Sequence, residues 1–132
     1  MNFYIKGIPT KRRPRFGNGR TYTDRVTIAE EAAIAKAYRG GFHQGKVEIR
    51  VDIYPKLPKS TPKGLHSAPT LKKPDCDNVL KIFMDALQGI AYADDKQVCK
   101  AIVIKHDMQR IDFDYCVCSV RTLEREKNEN NQ

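Results

Sequence analysis

At 132 residues, 40% of them hydrophobic, the chain fits one domain with a modest core, and a second catalytic domain is not expected. Its charge is strongly basic, +8 with pI near 9.4. No uncharged apolar run nears the roughly 18 residues of a membrane span, and no cleavable apolar leader opens the chain, so a soluble, cytoplasmic protein is expected.

Asn2–Ile8 alternates like a short edge strand and leads into a segment crowded with Pro, Gly and Arg, expected to be a flexible basic loop. From Met1 to Arg25 seven cations (Lys6, Lys11, Arg12, Arg13, Arg15, Arg20, Arg25) face one acid, Asp24. Thr23 or Asp24 can cap a helix running to about Arg39, with Val26, Ala29, Ala33 and Ala37 as its apolar row and Gly40-Gly41 as its stop. Lys46–Tyr54 alternates Val47, Ile49, Val51 and Ile53 with polar residues, which predicts a half-buried strand. Five prolines between Pro55 and Pro74 rule out a helix or central strand there. With five lysines and no acid up to Lys73, residues 55–74 are expected to form a mobile basic flap beside the active site.

Val79, Ile82, Phe83, Ala86 and Leu87 make one buried helical stripe, which Gly89 ends. Val98–His106 and Ile111–Leu123 are β-rich, joined by a connection short enough for a hairpin. Residues 124–132 read as a polar, frayed tail. The pattern predicts an α+β domain over residues 1–132, a small mixed or antiparallel sheet with two main helices packed on it. Cys76, Cys99, Cys116 and Cys118 form no disulfide or zinc pattern with the scattered His43, His66 and His106, and are expected to be reduced thiols.

The acids gather after Pro74. Asp75 and Asp77 are two apart at a helix start, where the chain should arrive extended, and Lys81 and Asp85 continue a polar row opposite the buried stripe. Asp94 and Asp95 lie in the loop before the next strand, and a helix-loop-strand return could bring one of them beside Asp75 and Asp77. Three or four carboxylates at one site repel unless a divalent cation neutralises them, and hard oxygen ligands suit Mg²⁺ or Mn²⁺. Such an ion supports phosphodiester hydrolysis, with Lys81 supplying positive charge to the transition state. No serine, histidine or cysteine triad competes. Singly, Asp77 reads as a helix cap, Asp85 as a solvated charge and Asp94-Asp95 as turn formers. Their conjunction with two basic segments favours a metal site facing a polyphosphate. Phe16, Tyr22 and Tyr92 are candidates to stack on bases, although isolated aromatics usually serve packing.

With those residues in view, Lys73–Val98 resembles the RusA family of Holliday junction resolvases of bacteria and phages. The resemblance rests on the D-x-D-N opening (Asp75, Asp77, Asn78), Lys81, the D-A-L helix end (Asp85, Ala86, Leu87) and the D-D-x-Q-V close (Asp94, Asp95, Gln97, Val98). It implies a homodimeric, structure-selective endodeoxyribonuclease that resolves four-way junctions by paired symmetric nicks with Mg²⁺, for which Mn²⁺ can substitute, and without an organic cofactor. By position, Asp75, Asp77 and Asp95 would be the metal ligands, with Asp94 an additional candidate, and Lys81 the catalytic lysine. Lys11, Arg12, Arg13, Arg15, Arg20, Lys72 and Lys73 are the expected DNA contacts. The sequence departs from the family where a basic residue often precedes the first aspartate, since Pro74 stands there and Lys73 one place earlier. The competing readings are a non-catalytic basic DNA-binding module and a metal-dependent phosphohydrolase of small phosphates. The latter lacks a Gly-rich phosphate cradle.

Overall fold

The computed structural model describes residues 1–12 and 14–124, with the side chains of Arg15 and Tyr22 left out. In chain order the elements are β1 (Asn2–Lys6), β2 (Arg15–Gly17), β3 (Arg20–Tyr22), α1 (Arg25–Ala37), β4 (Val47–Tyr54), β5 (Ser67–Ala68), α2 (Cys76–Leu87), β6 (Val98–Lys105), β7 (Met108–Gln109) and β8 (Tyr115–Thr122). A 3₁₀ turn, Asp95–Gln97, enters β6.

The main sheet runs β1-β8-β4-β6. β8 is antiparallel to both β1 and β4, whereas β4 and β6 are parallel. The architecture is α+β with a mixed sheet and two helices, as expected. The hairpin between the last two long strands does not form. A parallel pair needs a long crossover, which the segment carrying α2 supplies between β4 and β6. β4 therefore lies between β6 and β8, and residues after β6 turn aside so that β7 can pair with β5.

α2 buries Val79, Ile82, Phe83, Ala86 and Leu87, the full predicted stripe, against α1 and β6. α1 starts at Asp24, whose carboxylate accepts from Val26 N at 3.2 Å, but its inward face differs from the predicted row. Thr27 and Ile34 are buried, Ala37 is half-buried, and Val26, Ala29 and Ala33 are exposed. In an alanine-rich helix the larger Ile34 buries more apolar area than any alanine, so it sets the rotation.

Two further expectations change. β2 and β3 form a hairpin within the expected flexible loop, because Asn18 (φ 52°) and Gly19 (φ 71°) both take the left-handed conformation of a type I′ turn. β4 is central and covered on both faces, with Glu48 and Asp52 only 6% and 8% exposed. Arg121 and Lys100 cover Glu48, and Arg50 and His106 cover Asp52, on the face away from the helices.

The segment between β4 and α2 is an irregular loop stitched to its surroundings. β5 pairs with β7, the Thr70 hydroxyl donates to His106 O at 2.9 Å, and Arg110 donates to Pro62 O. Among the described residues all four cysteines are free thiols, Cys116 and Cys118 in the core, and no helix is long and apolar enough to cross a membrane.

Candidate active site

Asp75 stands at the N-cap of α2 with extended backbone (φ −78°, ψ 140°), yet its side chain makes no capping bond. The other two cap aspartates behave ordinarily: Asp24 caps α1, and Asp94 accepts from Lys96 N at 2.9 Å at the 3₁₀ turn. Asp77, in the first turn of α2, is exposed. Among the described residues neither the Asp75 nor the Asp77 carboxylate takes a hydrogen bond or ion pair, so two adjacent acids at a helix start remain available to a ligand. Lys81, one turn on, is exposed and likewise unpaired within that set.

A cleft of about 630 Å³ opens beside Asp75, lined among others by Lys11, Arg12, Lys56, Lys73, Asp75 and Asn78. Its cations divide into two kinds. Lys11 is tied to Asp85 at 2.8 Å and to Glu31 at 3.6 Å, and Arg12 pairs with Glu30. Partial burial pulls the Lys11 pKa down, but the hydrogen bond and charge of Asp85, helped by Glu31, outweigh it and leave it raised. These two expected DNA contacts thus brace the loop before the hairpin against both helices. Lys72 and Lys73 are exposed with side chains unpaired among the described residues, and Arg20 is exposed on β3. Arg13 lies outside the described residues, as does the side chain of Arg15. Lys56, whose ammonium donates to Asp112 O at 3.1 Å, joins the cleft although the sequence reading did not single it out; the signal was its place in the acid-free run.

Asp94 and Asp95 lie at the other end of α2. Gln97 organises that end: its side-chain oxygen accepts from Ala93 N and Asp94 N, and its amide donates to His43 O and Gly45 O. Asp95 N donates to Gln88 Oε1 at 3.2 Å, just past the helix. The two carboxyls interact directly and shift apart. The Lys96 backbone bond holds Asp94 below its ordinary value, while the hydrogen bond to Asp94 and the charges of Asp94 and Asp85 raise Asp95. Such crowding of negative charge is relieved by a cation or a proton.

The expectation that Asp94 or Asp95 returns beside Asp75 and Asp77 is not met within one chain. From Asp77 to Gln88 the helix rises roughly 16 Å. Among the described residues no three His, Cys, Asp or Glu side chains are grouped to hold an ion. Of the aromatic candidates, Tyr92 is buried with its hydroxyl donating to Met84 O at 2.7 Å, so it packs. Phe16 is 82% exposed on β2.

Residues 7–112 match the Endodeoxyribonuclease RusA family, a span that takes in the cleft, α2 and both aspartate pairs. The chain belongs to the RusA family. Comparison with curated proteins gives no match. RusA enzymes are Holliday junction resolving endodeoxyribonucleases that act on branched DNA and use a divalent metal. The donor set agrees with that chemistry: Asp75 and Asp77 offer hard carboxylate oxygens that no group among the described residues consumes.

Proposed function

We propose that this RusA-family chain is a Mg²⁺-dependent, cytoplasmic Holliday junction resolvase that works as a homodimer with metal sites shared between copies. Asp75 and Asp77 of one copy and Asp95, with Asp94, of the other would hold each ion; Mn²⁺ would substitute. The observation that carries this reading is the placement of the two aspartate pairs at opposite ends of α2 and of β6. Asp94-Asp95 precede the start of β6, and Lys105 at its end is bonded to Pro74 O, next to Asp75. β6 is an edge strand, with Cys99 and Ala101 exposed along it. A two-fold axis across β6 exchanges its ends and brings each Asp94-Asp95 toward the other copy's Asp75-Asp77.

When bound, the ion supplies Lewis acidity at the scissile phosphate and an acidified attacking water. Lys81, one turn beyond Asp77, offers positive charge where negative charge builds on the phosphate. Lys73, Lys72 and Lys56 hold the backbone of the strand entering the cleft, and Arg20 meets a neighbouring phosphate. Two symmetric sites give the paired nicks that resolution needs.

Subunit mixing tests this. Asp77→Asn and Asp95→Asn homodimers should each bind a four-way junction but fail to nick it. Refolded together, they form heterodimers in which one site carries both substitutions and the other carries none, so nicking of one strand returns. A double variant mixed with wild type rebuilds no intact site in its heterodimers. If Asp77→Asn alone cuts normally, or the mixed single variants stay inactive, the shared-site reading is wrong.

A further inference from the structure

Lys105 is the last residue of β6 and pairs in register with Ile53, on the helix-facing side of the sheet. Its half-buried side chain reaches out of the strand to the chain entering α2. There its ammonium donates to Lys72 O at 3.0 Å and to Pro74 O at 3.2 Å. Among the described residues no acid pairs with it, so this charge is spent on two backbone carbonyls immediately before Asp75. Leu71 to Pro74 make no backbone-to-backbone hydrogen bond of their own within that set. The neighbouring Thr70 hydroxyl, on His106 O, fastens the same stretch one step earlier. The peptide that presents Asp75 is therefore held from the strand side mainly by one side chain.

We propose that Lys105 is a positioning residue for the Asp75/Asp77 metal site, an inference that rests on reading those two carboxylates as metal ligands. By clamping the carbonyls of Lys72 and Pro74, Lys105 fixes the direction in which Asp75 leaves the loop. It connects that loop to β6, the strand whose other end carries Asp94 and Asp95. Loss of a group that orients a metal ligand typically weakens metal affinity about 10–100-fold.

Three full-length variants test the assignment: Lys105→Met, which keeps the stem and removes the donors; Lys105→Arg, which keeps a charge and donors; and Asp77→Asn. For each, Mn²⁺ is titrated calorimetrically into the DNA-free homodimer, and junction affinity is measured without metal. Nicking rate is then followed against Mg²⁺ concentration. Lys105→Met should weaken Mn²⁺ binding by about tenfold or more and shift the Mg²⁺ dependence of nicking by the same factor. Its rate should recover at saturating Mg²⁺ and its metal-free junction affinity should stay that of wild type, with Lys105→Arg falling between. If Lys105→Met lowers the melting temperature of the metal-free protein, Lys105→Gln replaces it in the same titrations. Unchanged Mn²⁺ affinity in the Lys105 variants overturns the proposal, as does lost junction affinity without lost metal affinity, which marks a phosphate contact. Wild-type Mn²⁺ affinity in Asp77→Asn instead removes the underlying metal-site reading, a failure distinguishable from that of Lys105 alone.

Discussion

Thr27 turns its hydroxyl into the core, where among the described residues Oγ1 meets no partner. The residue is fully buried beside Ile34 on the inward face of α1. An unsatisfied buried hydroxyl costs about 1–3 kcal/mol, and valine has nearly the same shape without the polar atom. Thr27→Val should therefore stabilise the fold by about 1 kcal/mol, read as a melting temperature higher by roughly 3–5 °C. A variant that melts lower would show that the hydroxyl has a partner in solution. Asp75 is the opposite case at the same scale. It occupies a capping position with capping backbone and makes no cap, the cost that the proposed metal-ligand role would carry. A sequence shows that an aspartate can cap; only the side-chain geometry shows that it does not.

At the scale of elements, the face of the sheet away from the helices is held by two carboxylates on β4. The Arg121 guanidinium, with Lys100 beside it, holds Glu48 below the usual carboxylate range, and Arg50, with His106, does the same for Asp52. A carboxyl depressed in the folded state stabilises fully above its unfolded pKa, near 4, and loses that contribution as pH falls through the folded value. Wild type should thus melt above Glu48→Gln at pH 7, and the gap should narrow as pH falls below about 4. A gap that does not narrow as the pH is lowered below about 4 in scanning calorimetry would mean that the ion pairs do not set it. The polar residues on β4 read from sequence as a wet face because the cations over Glu48, Lys100 on β6 and Arg121 on β8, lie far along the chain, as does His106 over Asp52; only Arg50 is local. The same non-locality hid the strand order: two β-rich runs close in sequence suggested a hairpin, whereas the parallel partner of β4 lies beyond a helix. α2 was legible because its five apolar residues are large and regularly spaced. α1 was not, since three of the four residues in its predicted row are alanines that burial hardly distinguishes. The hairpin was readable in principle from Asn18-Gly19, a local signal outweighed by the surrounding arginines.

For the whole molecule, the excess of positive charge is only partly available to DNA. The aspartate clusters and basic runs were visible in the sequence, and so was their chemistry. What was not visible is which cations the fold spends internally, and that the two aspartate pairs end a helix length apart. Lys11 bridges Asp85 and Glu31, so removing it leaves two acids unmatched between α1 and α2. Lys73 lines the same cleft with no such partner among the described residues. Each phosphate contact contributes about −0.9 to the slope of log binding constant against log salt on duplex arms. Lys73→Ala should reduce that slope by about 1 and weaken junctions and duplex alike, with melting unchanged. Lys11→Ala should leave the slope nearly intact and lower the melting temperature instead. Fluorescence anisotropy over a salt series, paired with melting curves, separates the two. Equal slope changes for both variants would show that Lys11 abandons its acids when DNA binds, and that the loop before the hairpin belongs to the DNA interface after all.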